Sequence, residues 1–263
     1  MKSYSKTIAI IRELVKTEFK LRYQRSILGY AWSLFRPMTN FAILYLVFTT
    51  IFPLGREIEN FPVYLLSGIV LWNFFTESTV VGMSSLVARG DMIRKIAIPK
   101  YTIVISSVIA ALVNLFFNLI VLMFLILLTT NFKFSLAILT IPYYFLILLV
   151  FTIAVSLILA SLFVKYRDVG HIWEVFLQAL FYLTPIIYPL TLIHKQLFRE
   201  VISISPIAYS IQNIREILIT PQTITAREVM HFGDILPLII TVIVTIIGLT
   251  LFKKMAKSFA EEI

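Results

Sequence analysis

The chain contains no cysteine. Disulfides, thiolate metal sites and a catalytic thiol are therefore excluded. Histidine is also scarce: His171, His194 and His231 are scattered, and no two have the close helical spacing of a metal site. Charge is thin as well, with only 14% Asp, Glu, Lys and Arg, against about 25% in an average soluble domain. No GxxxxGK[ST] run occurs, so no ATP-binding P-loop is expected on this chain. HExxH and GxSxG are missing too. The longest stretch expected outside a bilayer on the cytoplasmic side is the first 36 residues, with no sizeable domain to hold catalytic carboxylates. These absences argue against an enzyme, and no cofactor or metal is expected on this chain.

What is present is apolar. Of 263 residues, 59% are hydrophobic, and the mean hydropathy is +0.93. A soluble fold of this size cannot hide so much apolar surface, so the class is an all-α, polytopic membrane protein. A spanning helix needs roughly 20 apolar residues. Gaps between charges, extended where the apolar character continues past Glu77 and starts at Trp173 beside Glu174, give six such runs, at about 37–55, 61–82, 102–131, 135–164, 173–193 and 235–252. The first apolar run begins only at Pro37 and is too long for the h-region of a cleaved signal peptide. Six spans place both termini on one side. Counting Lys and Arg on either side gives 17 with the termini and 6 opposite, so the positive-inside rule predicts cytoplasmic termini. The net charge of +9 is thereby assigned to membrane orientation and not to nucleic acid.

Residues 1–36 read as a helix lying in the cytoplasmic interface. Ile8, Ile11, Val15, Phe19 and Tyr23 recur at helical spacing, and Arg12, Lys16 and Lys20 run beside them, able to snorkel to headgroups. Segment 37–255 forms the membrane domain and 256–263 a cytoplasmic tail. The loop 86–100 holds Arg89, Asp91, Arg94, Lys95 and Lys100 among Met92, Ile93 and Ile96, which predicts a short amphipathic helix ending at Pro99. Such a helix suits either a docked soluble partner or a bare orientation signal. Arg167 and Asp168 sit in a short charged turn; being adjacent, they cannot face each other along one helix.

Residues 196–220 are too apolar for a plain loop and too interrupted for a full span. Two short helices that dip in and return fit them, with Ser205 capping a second helix that starts at Pro206. Several mid-span aromatics could line a path or simply pack: Tyr143 and Tyr144 beside Pro142, and Phe181 and Tyr182 before Pro185. Asn114 and Asn118, four residues apart, share one helix face and either glue helices or line a path. Glu77 and Glu174 lie near predicted span ends. Trp32, Trp72 and Trp173 also fall near span ends, as an interfacial aromatic belt would place them.

Four stretches together resemble one family. LVKTEFKLRYQRSILGYAWSLFRP at 14–37, IRKIAIPKY at 93–101, YRDVGHIWEVFLQALFYLTPIIYP at 166–189 and SPIAYSIQNIREILI at 205–219 are similar to the membrane subunits of type-2 ABC exporters of polysaccharides, the group that handles O-antigen, capsule and teichoic acid. The resemblance implies a homodimer with two copies of a cytoplasmic ATPase, which would bring ATP and Mg, in a bacterial cytoplasmic membrane. It makes the N-terminal helix, with Arg12, Lys16, Lys20, Arg22 and Arg25, an interfacial gate helix. It makes Arg89, Asp91, Arg94, Lys95, Pro99, Lys100, Arg167 and Asp168 the ATPase-coupling face. Pro206, Tyr209 and Arg215 would belong to an outer gate, and the cargo would be a lipid-linked polysaccharide. A type-2 exporter of teichoic acid, drugs or another lipid, or an accessory subunit of glycan assembly without an ATPase, are the alternatives.

Overall fold

The structure, a computed structural model, describes residues 2–23, 29–51, 58, 60–95, 98–129, 135–219, 225–229 and 233–262. Among these residues the chain is helical and contains no strand. The helices are α1 (Lys2–Tyr23), α2 (Trp32–Leu46, continued by a π-turn Val47–Ile51), α3 (Phe61–Ala88), α4 (Gly90–Lys95) and α5 (Tyr101–Thr129). They continue with α6 (Ile141–Lys165, led in by the 3-10 turn Leu136–Thr140), α7 (Val169–Leu183), α8 (Gln196–Ser203) and α9 (Pro206–Leu218). The last three are α10 (Ala226–Val229), α11 (Ile235–Met255) and α12 (Phe259–Glu262).

Five described segments are long and apolar enough to cross a bilayer: Trp32–Ile51, Phe61–Ala88, Tyr101–Thr129, Leu136–Lys165 and Ile235–Met255. They correspond to five of the six expected runs. The expected span 173–193 is different. Its helix begins earlier, at Val169, and stops at Leu183 after 15 residues, a rise of about 22 Å against a hydrocarbon core of about 30 Å. Pro185 and Pro189 have no N–H to continue the helical ladder, and each disfavours helical backbone in the residue before it. The chain therefore proceeds through residues 184–189 without helix, yet reaches the far end of α3, where the Tyr64 hydroxyl donates to the Tyr188 carbonyl at 3.0 Å.

Helix α3 is the centre of the bundle, with α5 and α6 packed along it and α2, α7 and α9 also against it. Its apolar core includes Leu65, Ile69, Phe74 and Phe75, joined by Val108 of α5 and Leu148 of α6. Small residues set the close approaches. A Cβ on Gly248 of α11 would sit 2.8 Å from the Ala154 carbonyl oxygen of α6, and one on Gly82 would sit 3.0 Å from Ser156 Cβ. Close backbone approach gives dispersion contact where apolar lipid supplies no hydrophobic drive between helices. By contrast α2 and α11 turn most of their apolar surface outward, Ile43, Leu46, Ile246 and Leu249 among it.

Both terminal helices lie at one end, the end that carries α4. Leu14 of α1 and Phe259 of α12 share a cluster with Leu86, Ile93, Ile103 and Val104. The amphipathic stripe of α1 is rotated from the expected one. Ile8 is 67% exposed, whereas Leu14 is buried and Ile10 packs against the same cluster. Phe19 and Tyr23 carry side chains outside the described set. Two apolar lines are available on this helix, and packing along α5 selects the one through Leu14.

Gly248 gives a direct test of the packing. Gly248→Leu should force α11 off α6 and destabilise the fold by about 2 kcal/mol or more, read as a lowered midpoint of thermal unfolding in detergent. Gly29→Leu, where a Cβ meets nothing within 4 Å, is a poor control because its φ of +47° already strains any side chain; Ile246→Leu on the outward face serves instead, and should leave the midpoint unchanged.

Candidate functional site

At the α4 end, α4 is described over Gly90–Lys95, and the described Ile98 and Pro99 are not helical, so the helix does not extend to Pro99 as expected. Ile96 lies outside the described residues. The amphipathic sense holds, since Ile93 is buried while Asp91, Arg94 and Lys95 are exposed. Asp91 stands in the first turn and Arg94 and Lys95 in the last, an arrangement that complements the helix dipole. Pro99 is exposed, and its carbonyl accepts from Thr102 at the start of α5. Arg167 and Asp168 are exposed in the turn between α6 and α7, Arg167 lying over the Phe163 ring at 5.3 Å. Asp91, Arg94, Lys95, Arg167 and Asp168 thus form the outward charged set of this end.

Two expected members of that set turn inward. Arg89 is an inter-helix tie. Its guanidinium pairs with Glu18 of α1, and donates to the Leu14 carbonyl at 3.4 Å and to Ser106 Oγ at 3.3 Å. Burial pulls the Arg89 pKa below the usual arginine range, and the Glu18 charge opposes that pull. Lys100 likewise reaches inward, donating to the Ala256 carbonyl at 2.5 Å and lying 5.6 Å from the centre of the Phe259 ring. It fixes the C-terminal helix on the segment that leads from α4 to α5.

Of the expected gate-helix cations, Arg12, Lys16 and Lys20 are exposed on α1, with Lys16 3.0 Å from Glu13. The Arg22 side chain and the whole of Arg25 lie outside the described residues. Exposed ion pairs of this i,i+3 kind contribute little to stability.

The opposite end is organised by Arg215. The expected pair of short helices is present as α8 and α9, broken at residues 204 and 205. Ser205 does occupy the N-cap position with extended backbone, and Pro206 the first turn, but the Ser205 side chain makes no capping bond. Arg215 is completely buried, although its charge alone suggests the water-facing side. It donates to the carbonyls of Tyr64 at 2.8 Å, Pro185 at 2.5 Å and Ile186 at 2.6 Å. Ser67 Oγ at 3.3 Å and Gln212 Oε1 at 3.1 Å complete its shell, and the Tyr64 ring lies 3.7 Å from its guanidinium carbon. A Cβ on Gly68 would stand 2.1 Å from Arg215 Nη2, so glycine is what admits the guanidinium there. Beside it the Tyr209 hydroxyl donates to Asp234 Oδ1 at 2.9 Å, tying α9 to the start of α11. Burial, and next the bond to Asp234, push the Tyr209 phenol above its ordinary range, so it stays a donor.

The expected path residues do not converge. Tyr144 is buried, its ring 5.5 Å from that of Tyr209, while Tyr143 is exposed. Phe181 packs edge-on to Trp72 at 5.8 Å, while Tyr182 is 70% exposed. Trp72 and Trp173 are core residues; the Trp173 indole donates to Thr79 Oγ1 at 3.1 Å. Asn114 and Asn118, by contrast, do come together, at a cavity of ≈ 560 Å³ between α2, α3 and α5. Asn114 Nδ2 donates to Glu77 Oε1 at 2.6 Å, and Asn118 Nδ2 donates to the Asn114 carbonyl at 2.8 Å. Trp32, Arg36 and Thr76 share the cavity wall. Glu77 lies deeper than the sequence suggested because α3 runs on to Ala88, placing Glu77 about 17 Å from that helix end. Spacing alone could not reveal that α2 supplies the third wall.

Replacing Arg215 by Met leaves several buried carbonyls without donors and should destabilise the fold by about 4 kcal/mol. Thermal unfolding in detergent measures this. Arg215→Lys should lose less than Met but should not restore the wild-type midpoint, because an ammonium cannot span all the acceptors that the fork reaches. Equal midpoints for Met and wild type would remove Arg215 from the centre of this end.

The family model for the ABC-2 type transporter matches residues 10–219. An O-antigen export system permease protein RfbA of Myxococcus xanthus is 27% identical over 255 residues, covering 97% of this chain and 95% of that protein. A protein of the same name from Klebsiella pneumoniae is 28% identical over 250 residues, covering 94% and 92%.

Proposed function

Since the chain belongs to the ABC-2 type transporter family, we propose that it is the membrane subunit of an ATP-driven exporter that moves a lipid-linked, O-antigen-like polysaccharide out of the bacterial cytoplasm. The observation that carries this is the end-to-end similarity to relatives named as O-antigen export permeases. Chemistry and architecture support it. A hydrated glycan cannot cross hydrocarbon, so it needs a lined path. The energy comes from two copies of a separate ATPase, which would bind ATP and Mg and dock at the α4 end. Arg94 and Lys95, exposed at the tip of α4, and Arg167 and Asp168 in the neighbouring turn are the docking residues. Closure of the ATPase pair biases a two-state membrane dimer.

In this reading the α4 end is cytoplasmic, with both termini, and the membrane is the bacterial inner membrane. The chain spans it six times, the fifth crossing being α7 plus the non-helical residues 184–189. Helix α1 is the interfacial gate helix where cargo enters from the inner leaflet, and α8 and α9 close the outer end. A second copy of the chain completes the path. Exposed apolar residues on α7, among them Ile172, Val175 and Phe176, together with the outward face of α2, suit that dimer or the lipid beside it.

The test is charge reversal at the docking tip. Arg94→Glu with Lys95→Glu should abolish co-purification of a P-loop ATPase, or cut export to the surface by about tenfold with hydrolysis uncoupled; each reversed charge replaces an attraction by a repulsion of about 1 kcal/mol. Because both side chains are exposed, the membrane domain itself should unfold at its normal temperature. Normal export and normal assembly in the double variant would sink the docking assignment. Intact mass spectrometry of the complex checks the stoichiometry.

A further inference from the structure

Helix α4 has six residues and exposes Asp91, Arg94 and Lys95. So short a helix is marginal by itself, and its position is set by what lies beneath it. Ile93 is its underside, 8% exposed in the cluster of Leu86, Ile103, Val104, Phe252 and Phe259. Apart from α3, which leads into it, the described element packed most against α4 is α12, the short helix beyond the last span. Phe259 anchors α12. It is wholly buried, and its ring meets that of Phe252 on α11 edge-on at 5.4 Å.

Lys100 closes the arrangement from the other side. It lies between α4 and α5, and its ammonium donates at 2.5 Å to the carbonyl of Ala256, the C-cap residue of α11. A cation there meets the negative end of the α11 dipole. Its Nζ also stands 5.6 Å from the centre of the Phe259 ring, within cation–π range. Membrane orientation does not require these contacts, since an orienting lysine has only to stay on its side of the bilayer. Lys253, Lys254 and Lys257 of the same region do remain exposed. Helix α12 also packs on α6, and α11 lies against α6 where Gly248 approaches Ala154. Through Phe259 and Lys100, α4 is therefore connected to two spanning helices that do not flank it in the chain.

We propose that Phe259 and Lys100 are positioning residues for coupling: α12 is a strut under α4, and it carries the movement of α4 to α11 and α6. The assignment rests on the exporter reading above, in which α4 docks the ATPase. It adds a second route for force, separate from the one through Arg89.

The lack of cysteine makes the position of α4 readable by single introduced thiols in the complete chain. Ile93→Cys places a thiol on the buried face of α4. Met92→Cys, at a residue packed against the same cluster, is a second reporter, so that misfolding of one does not decide the matter. Ser85→Cys, nearly isosteric and at a site 4% exposed on α3, reports general loosening. Phe259→Ala should raise maleimide labelling of the α4 reporters in mild detergent by about tenfold, a local opening that leaves Ser85→Cys shielded. Phe259→Leu, which keeps most of the apolar volume, should restore the shielding. Lys100→Met should raise the same labelling by about fivefold, the loss of one hydrogen bond. In cells that make the natural glycan, Phe259→Ala should still co-purify the ATPase. Export per ATP hydrolysed should nevertheless fall by about fivefold, the scale on which single contacts change coupling between sites, and Phe259→Leu should recover it.

Unchanged labelling of both α4 reporters in Phe259→Ala would overturn the strut. An equal rise at Ser85→Cys would do the same, since it would mark a general loss of packing. Raised labelling of α4 with normal export per ATP would overturn the coupling role. Failure of the exporter reading looks different. In that case no ATPase accompanies the parent chain, or deletion of the chain leaves surface glycan intact. The coupling role then falls with it, while the labelling still decides whether α12 holds α4.

Discussion

Helix α7 ends at Leu183, and the carbonyls of Pro185 and Ile186 are left facing the interior of an apolar bundle. Backbone groups that neither a helix nor water can satisfy are tolerated inside a membrane protein only if protein satisfies them. Arg215 does so. Its guanidinium joins those two carbonyls to that of Tyr64 on α3, across the cleft that Gly68 leaves open. The rest of the far end depends on this contact. It fixes α9 against α3, holds the broken end of α7 in place, and brings Tyr209 within reach of Asp234 at the start of α11. The charge is costly to bury, and the many acceptors that offset the cost make the residue hard to replace.

The α4 end follows a different rule. There the charges divide into an inward and an outward group. Arg89 and Lys100 direct their charge to internal partners, namely α1 through Glu18 and Leu14, and the C-terminal segment through Ala256 and Phe259. Arg94, Lys95, Arg167 and Asp168 remain exposed. If the exposed charges dock an ATPase, as proposed, they need a stiff base to transmit force. Arg89 supplies one: the residue that closes α3 is also bound to α1 and to Ser106 of α5. Under the proposed docking, a push on α4 would pass through this tie to α1 and α5.

Much of this was legible in the sequence, for physical reasons that differ from element to element. Apolar runs of spanning length with few or no charges are hard to read any other way, and five of them became long helices. The run 173–193 misled because hydropathy measures composition and not backbone continuity; Pro185 and Pro189 were visible, but only the structure shows that the helix stops before them. Pro206 after Ser205 placed the start of α9 correctly, since proline in the first helical turn is a local rule. Arg215 counted as a water-facing charge because nothing local reveals carbonyls offered by residues 29, 30 and 151 positions away. Arg89 was misplaced for the same reason, its Glu18 partner lying 71 residues earlier. The stripe on α1 was ambiguous in principle, because two apolar lines run along that helix and only docking on α5 separates them.

The two ends and the cavity between them make one mechanical argument. Helix α2 is the least buried of the long helices, with 6% of its spanning window covered against 72% for α3. It supplies Trp32 and Arg36 to the cavity, while α3 and α5 supply the polar groups. The cavity therefore has two walls fixed in the core and one wall on the helix with the fewest internal constraints. Asn118 Nδ2 donates to the Ser33 carbonyl across 3.4 Å, a long hydrogen bond between the lightly packed wall and a fixed one. A modest shift of α2 would alter the cavity while α3, pinned at one end by Arg215 and at the other by Arg89, stays in place. Motion of α2 would therefore reshape this cavity before it disturbed the core around α3.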